Sequence, residues 1–307
     1  MRNHSSITEF ILLGLSSDPH IEALLFVVFL VIYFLTLVGN LMILLVIRTD
    51  ARLHKPMYFF LSNLSFLDLC FSSVTVPKLL EDLLSEKKTI SIEGCLAQVF
   101  FVFVTAGTEA ILLSVMAYDR YAAICHPLLY GQLMSNPFCV AMVLTSWGLA
   151  SLNAMLIVFL AINLDFCEAQ TIHHYTCELP SLLPLSCSDT TIKKDIVICS
   201  TLLHGIGTIL PILFSYFRII STILGISSTR GKAFSTCFSH FIAVILFFGS
   251  GLVRYLMPTS GSSLDLLASL QYSVVTPMLN PLIYSLKNND VKAALKRMLV
   301  KYLYFRS

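Results

Sequence analysis

The sequence predicts an all-α membrane protein, a seven-transmembrane helix bundle with a short cytoplasmic amphipathic helix. The first observation is composition: 56% of the 307 residues are hydrophobic and only 12% are charged, against about 25% charged in soluble domains. Mean hydropathy is accordingly high, at +0.81. The second is a series of long apolar segments, and the third is an uneven distribution of Lys and Arg between the loops. The net charge of +2 is too small to indicate nucleic-acid binding.

Apolar segments long enough to cross a bilayer recur along the chain, since about 20 apolar residues in a helix span its hydrocarbon core. Asp68 is the only charge in the second segment and Glu109 the only one in the third. The tail has Val291, Leu295 and Met298 on one face, among several lysines, and predicts a short amphipathic helix that also includes Leu299. The segments are 23–47, 57–77, 94–118, 138–162, 196–217, 233–253 and 266–286.

The charges of the loops orient the chain, because cytoplasmic loops are enriched in Lys and Arg. The basic residues are concentrated in the loop 48–56, near 226–232 and in the tail. We therefore expect a multi-pass plasma-membrane protein with three parts: an extracellular N-terminus at 1–22, a transmembrane domain at 23–286 and a cytoplasmic tail at 287–307. Asn3 begins an Asn-His-Ser triplet, which an extracellular N-terminus would make a glycosylation site.

Four cysteines, Cys95, Cys167, Cys177 and Cys187, fall on the predicted outer side. Disulfides persist there, and these residues alone allow three pairings. Near the inner end of the third segment, Asp119 and Arg120 precede an aromatic residue. An arginine at this depth is either a cytoplasmic switch or an interfacial side chain that reaches the headgroups.

Several motifs together carry a resemblance to a known family. They are LHKPMYFFLSNLS at 53–65, MAYDRY at 116–121, KAFSTCFSH at 232–240 and PMLNPLIYSL at 277–286. With seven segments and an outer N-terminus, the chain resembles the rhodopsin-like G-protein-coupled receptors, and among them the odorant (olfactory) receptors of the tetrapod type. The sequence departs from the family pattern at Phe248, where Tyr is usual, and at Leu129, where a polar or basic residue is common.

The resemblance implies a receptor, not an enzyme, that binds a volatile odorant in the bundle and activates a stimulatory, olfactory-type G protein to raise cAMP. It also implies the disulfides Cys95–Cys177 and Cys167–Cys187. No acid lies within 226–240, so we expect inactive Arg120 to be held chiefly by Asp119. The residues expected to act in coupling and switching are Asp119, Arg120, Tyr121, Tyr216, His240, Asn280, Pro281 and Tyr284.

The expected ligand pocket is small, mostly apolar and supplied with a few polar groups. Helical spacing brings Ser200, Thr201 and His204 to one face, and small residues in the third segment leave room beside them. The alternative is plain helix packing, which small residues also favour, with His204 a satisfied core residue. The expected lining is Phe103, Ala106, Gly107, Ser200, Thr201, His204, Gly251, Leu252, Tyr255 and, by analogy with the family, Ser273.

Asp68 and Glu109 are carboxylates within apolar segments and are therefore functional candidates. The resembled fold makes their helices neighbours, so they would share a sodium ion, with Asn40, Ser114 and Asn280 as neutral donors. The alternative is a hydrogen-bonded pair with one carboxyl protonated. We expect no other cofactor. A Cu or Zn site in the outer loop at His173, His174, Cys177 and Glu178 is a weaker hypothesis, because a disulfide would remove the Cys177 thiolate.

Two other functions compete with the receptor hypothesis. A small-solute transporter or channel would use the Asp68 and Glu109 pair, although the chain lacks the internal repeat of many transporters. An intramembrane hydrolase would need a catalytic pair at one depth, and no nucleophile motif surrounds the two acids.

Overall fold

The computed structural model of the chain describes residues 8–166, 170–225, 230–256 and 262–304. The side chains at 225, 230–236, 254–256, 285–287, 299 and 301–304 lie outside that description. Asn3 and Cys167, expected to be a glycosylation site and a disulfide cysteine, also lie outside the described residues.

Eight long helices make up most of the described part of the chain. They are α1 (Pro19–Thr49), α2 (Pro56–Leu84), α3 (Ile92–Cys125), α4 (Asn136–Ile162), α5 (Thr191–Gly225), α6 (Arg230–Leu256), α7 (263–287) and α8 (Asn289–Tyr304). Within the described ranges, six of them (α1 to α5 and α7) are long and apolar enough to cross a membrane, and the apolar stretch of α6, Cys237–Val253, is shorter. The predicted seven-helix membrane bundle is therefore confirmed.

Most helices extend beyond the apolar segments, because polar residues and prolines begin them. Asp18 accepts a hydrogen bond from the backbone N–H of His20, and Pro19 occupies the first turn of α1. Ser91 caps α3 in the same way by accepting from the N–H of Gly94 at 3.1 Å. These caps place the start of α1 four residues before its apolar segment and the start of α3 two residues before its own.

The centre of the bundle is α3, which packs against α2, α4, α5 and α6. In its apolar stretch 72% of the residues are buried, against 11% in α1, which lies at the periphery. The small residue Gly107 marks a close approach, since a Cβ there would lie 3.0 Å from the Cβ of Ala150 on α4. Side chains on α3 therefore reach most of the other helices.

A three-stranded sheet, which the sequence does not predict, covers the end of the bundle where α1 begins. Strand β1 (Glu9–Leu12) pairs antiparallel with β2 (Thr89–Ser91) and parallel with β3 (Thr171–Ile172). Phe10 and Leu12 of β1 are each 1% exposed. The segment before α1 is thus tied to the loop between α4 and α5.

The tail helix α8 follows a break at Asn288 and packs on the bundle, as its amphipathic pattern predicts. Val291 and Ala294 are buried, while Leu295 and Met298 are half-buried. Arg297 donates to Asp50 Oδ2 from Nε at 3.0 Å and from Nη2 at 2.5 Å. These contacts join α8 to the loop after α1.

Candidate functional site

A buried polar cluster lies between α2, α3 and α7. The amide nitrogen of Asn280 donates to Asp68 Oδ1 at 3.0 Å and Oδ2 at 3.2 Å, and lies 3.4 Å from Glu109 Oε1. Asp68 is 0% exposed and Glu109 is 2% exposed. One amide of α7 therefore connects the acids of α2 and α3, and the two acids are brought together as the sequence analysis expects.

The proline of α7 explains a second polar contact. Pro281 has no N–H, so the carbonyl of Pro277, four residues earlier, loses its helical donor. Asn40 on α1 donates to that carbonyl at 3.0 Å and to Thr36 O at 3.0 Å. The helices can approach here because position 39 is glycine, where a Cβ would lie 3.1 Å from Pro281 Cγ.

The cluster also contains oxygen atoms suited to a hard cation. Oδ1 of Asn40 and Oδ1 of Asn280 are buried and accept no hydrogen bond within the described part of the chain. Ser114, also expected as a donor, is buried, but within the described residues no hydrogen bond joins it to the two acids or to Asn280. Carboxylate, amide and hydroxyl oxygens are the ligands that hard cations prefer. The residues present therefore fit sodium, and they equally fit a pair with one protonated carboxyl.

The C-terminal end of α3 differs from the expectation for its charged pair. Asp119 is 2% exposed and accepts a hydrogen bond from the Tyr130 hydroxyl at 2.7 Å. Among the described residues, Asp119 forms no ion pair with Arg120. Adjacent residues on a helix point about 100° apart, so a direct pair is disfavoured. The expectation that Asp119 holds Arg120 is therefore wrong for this structure.

Within the described residues, Arg120 forms no ion pair with an acid. It is 8% exposed, and its Nε has no hydrogen-bond partner within the residues described. Tyr216 and Tyr284 pack in the same cluster as Met116 and Ala117, which lie on α3 within a turn of Arg120. Tyr284 is 4% exposed, and its hydroxyl likewise has no partner in the described part of the chain. The expected coupling residues of α3, α5, α6 and α7 are thus brought to one region.

A three-helix link lies beside Arg120. His240 Nε2 donates to the carbonyl of Leu113 on α3 at 2.9 Å. A neutral imidazole then accepts at Nδ1, where the Tyr216 hydroxyl donates at 2.7 Å. The two rings are stacked, with centroids 5.8 Å apart. The link therefore joins α3, α5 and α6. Tyr121 lies apart from it, with its hydroxyl 2.9 Å from His126 Nε2.

The outer half of α3 and α5 contains several expected ligand residues. His204 Nε2 donates to the carbonyl of Gly107 at 3.1 Å, so this histidine joins α5 to α3. Ser200 donates to Asn153 Oδ1 on α4. Phe103 is buried in a cluster with α4 residues. Ala106 and Thr201 are half-buried.

The expected lining residues of α6 and α7 differ in how deeply they are buried. Leu252 is 59% exposed and points away from the core of the bundle. The expectation that it lines the ligand pocket is therefore wrong. Helical position decides this, since Gly251 next to it is half-buried. The side chain of Tyr255 lies outside the described residues. Ser273 is 2% exposed and lies in a π-helical turn, Gln271–Val275.

The loop between α4 and α5 enters the bundle and supplies a residue that the sequence analysis missed. The Tyr175 hydroxyl lies 2.8 Å from Ser269 Oγ and 2.9 Å from Ser273 Oγ, both on α7. Tyr175 is 1% exposed. The sequence contained one indication of this position, since Tyr175 lies two residues before Cys177 and the disulfide fixes this part of the loop on α3.

The disulfide Cys95–Cys177 is present, as expected, with a Cα–Cα distance of 5.3 Å. The backbone N–H of Cys177 also donates to Gln98 Oε1 at 2.8 Å. Cys187 is disulfide-bonded as well, but its expected partner is not among the described residues.

The hypothesis of an outer-loop metal site loses one of its ligands in this structure. The disulfide removes the Cys177 thiolate, and His174 Nδ1 accepts a hydrogen bond from the backbone N–H of Thr176 at 3.3 Å. No group of three or more His, Cys, Asp or Glu suited to a metal occurs in the described ranges.

Comparison with known proteins gives a consistent result. A family model described as olfactory receptor matches residues 29–302. The chain is 68% identical over 292 residues to human Olfactory receptor 8S1, covering 94% of this chain and 81% of that protein. It is 48% identical over 301 residues to Olfactory receptor 1f45 of Rattus norvegicus, covering 97% of this chain and 96% of that protein. Human Olfactory receptor 5F1 is 49% identical to the chain over 305 residues, which cover 97% of this chain and 96% of that protein.

Proposed function

Because this chain belongs to the olfactory receptor family, we propose that it is an odorant-activated receptor that couples to a stimulatory G protein and raises cAMP. The protein is a multi-pass membrane protein. The proposal includes an extracellular N-terminus and a cytoplasmic C-terminus, because the basic loops would then face the cytosol. The ligand would be a small volatile organic molecule.

The observation that carries the proposal is the arrangement around Arg120. Its guanidinium has an unused donor, and the link of Tyr216 and His240 to the Leu113 carbonyl lies beside it. An outward movement of α6 would withdraw His240 from both of its partners. The Tyr216 hydroxyl would then be available to the G protein or to Arg120. The cytoplasmic end thus offers two arrangements of one set of hydrogen bonds.

The ligand would act through the outer half of α3 and α5, where His204 already bonds α3. A ligand shifts the equilibrium only if it binds the two arrangements with different affinity. His204 donates to the Gly107 carbonyl, and His240 donates to the Leu113 carbonyl six residues later on α3. A contact that changed the position of α3 would therefore alter both bonds.

The test is a cAMP assay in cells with surface expression measured in parallel. Arg120→Ala should abolish the odorant response while leaving surface expression near that of the wild type, because the removed donor is not used in this structure. Arg218→Ala is the matched control, since Arg218 is an exposed arginine on α5, and it should retain the response. A surface-expressed Arg120→Ala receptor with a full response would overturn the assignment of the switch.

The proposal extends to sodium as a modulator held by Asp68, Glu109, Asn280 and Asn40. The ion would neutralise the acid pair and stabilise the packing of α2, α3 and α7. Replacing sodium with the larger cation N-methylglucamine should lower the melting temperature of purified wild-type receptor, whereas the melting temperature of Asp68→Asn should not depend on the salt. Equal salt dependence of the two proteins would assign the cluster to hydrogen bonding without an ion.

A further inference from the structure

A groove of about 620 Å³ opens between α4 and α5 on the surface of the bundle that faces away from its core. Its walls are mainly apolar side chains, including Leu149, Leu156 and Leu203, which are 52%, 41% and 74% exposed. These residues lie on helices that cross the membrane, so the groove opens toward lipid. Its volume lies within the range of about 300–1,000 Å³ that small-molecule sites occupy.

One side chain in the groove has hydrogen-bonding capacity that the protein does not use. Asn153 lines the groove, and its Oδ1 accepts from Ser200. Its Nδ2 group makes no hydrogen bond within the described part of the chain, although a primary amide has two donors.

The depth of Asn153 makes this unused capacity costly. Ser200, its partner, lies five residues beyond Asp195, or about 7.5 Å along α5, and Asp195 also lines the groove. Asn153 itself lies about 14 Å from the outer end of α4. An unsatisfied polar group costs free energy wherever the membrane excludes water.

The unused donors also restrict what fills the groove. A phospholipid acyl chain carries no acceptor at this depth. The backbone carbonyls of a second copy's membrane helices would already be bonded within those helices. A small apolar molecule with one oxygen acceptor fits the leucine walls and the Asn153 amide together.

We infer that this groove is a membrane-facing site for a small apolar molecule with a single hydrogen-bond acceptor, such as an aliphatic ketone. The inference deepens the proposed function and rests on it for the consequence of binding, since the molecule would be an odorant that enters from the bilayer. His204 lines the groove and bonds the Gly107 carbonyl. An occupant would therefore contact a residue that already joins α5 to α3.

Photolabelling of the full-length receptor in lipid vesicles tests the inference. The probe is a nine-carbon aliphatic ketone with a diazirine, and its control is the matching diazirine hydrocarbon without the carbonyl. Mass spectrometry should locate ketone adducts on α4 and α5 around the groove, and excess unlabelled ketone should suppress them. The hydrocarbon should label the groove less, by up to about tenfold, since one hydrogen bond is lost.

Two pairs of variants make the test specific to the groove. Asn153→Leu should reduce ketone labelling to the hydrocarbon level, whereas Leu152→Ala, a change at an adjacent side chain that is 63% exposed and does not line the groove, should not. Cys199→Trp should fill the groove and suppress labelling by both probes. Leu202→Trp, on the lipid-facing surface of the same helix, should leave it unchanged. The Trp pair applies even where Asn153→Leu fails to fold.

The outcomes separate this inference from the proposed function when the cAMP response to the same ketone is recorded. Adducts spread over other lipid-facing surfaces, or equal ketone labelling of wild type and Asn153→Leu, would overturn the groove site. A receptor that responds to a volatile molecule without groove labelling would retain the proposed function and lose the inference. Specific groove labelling in a receptor that responds to no volatile molecule would retain the site and contradict odorant activation.

Discussion

At the scale of single residues, the partner of a buried charge decides what that charge can do. Asp119 is bonded to Tyr130, which leaves Arg120 to the polar surroundings of α5, α6 and α7. Burial and the Asp119 carboxylate raise the pKa of the Tyr130 phenol, so Tyr130 stays protonated and keeps its donor. The role that the sequence suggests for Asp119, holding the arginine, is replaced by that of fixing the turn after α3.

The first residue-scale prediction concerns this bond. Tyr130→Phe would leave the buried Asp119 carboxyl without its donor, so the protein should lose about 1–3 kcal/mol of stability. The measurement is the melting temperature of the purified receptor in detergent. Tyr118→Phe is the control, because it makes the same chemical change one residue from Asp119 and no hydrogen bond to its hydroxyl occurs in the described structure. Equal melting temperatures for the two variants would show that the Tyr130 bond contributes nothing.

At the scale of helices, close approach depends on small residues and on prolines. Pro281 frees the Pro277 carbonyl, Asn40 donates to it, and the missing side chain of Gly39 allows α1 to come close enough. A proline that breaks a hydrogen bond within α7 thus creates a bond between α7 and α1. The same region positions Asn280 against the two acids.

The prediction at this scale compares two glycines in helices. Gly39→Ala gains helix propensity of about 0.5–1 kcal/mol but crowds Pro281, and overpacking costs about 1–3 kcal/mol. The melting temperature should therefore fall or stay level. Gly148→Ala on α4 should raise it, because a Cβ there meets no atom within 4 Å. A rise of similar size for both variants would contradict the close approach of α1 and α7.

At the scale of the whole molecule, the outer end is closed by segments far apart in sequence. The disulfide spans 82 residues and fixes the loop that carries Tyr175 into the bundle. The sheet ties the segment before α1 to the same loop. This end of the bundle therefore depends on long-range contacts of loops and strands as well as on helix packing.

The corresponding prediction concerns folding of the whole receptor. Loss of a native disulfide typically costs about 2–5 kcal/mol, so Cys95→Ala should sharply reduce the receptor at the cell surface, as measured by flow cytometry. The double variant Cys95→Ala with Cys177→Ala should lose no more than the single one. Cys199→Ala removes an exposed free cysteine and should match the wild type. Normal surface expression of Cys95→Ala would contradict the role of the bond.

The sequence by itself determined the membrane helices, the family and the amphipathic tail. These follow from local hydropathy and motifs, each of which is contained in a short stretch of chain. It also identified Asp68, Glu109 and Asn280 as a group, because charged residues are rare in apolar helices and the family places their helices side by side. The Cys95–Cys177 pairing followed from the same resemblance.

Only the tertiary structure decided which groups meet across helices. Helical spacing placed Leu252 on a face with its neighbours, but the rotation of α6 turned it outward. Asp119 met Tyr130 because the turn after α3 folds back, and no pattern within α3 shows this. Asn153 lies in an uncharged segment whose pattern does not distinguish it, and only the structure places it in the groove. The direction in which a side chain points, and the group that it contacts, depend on how the whole chain packs. Local periodicity along the sequence contains neither.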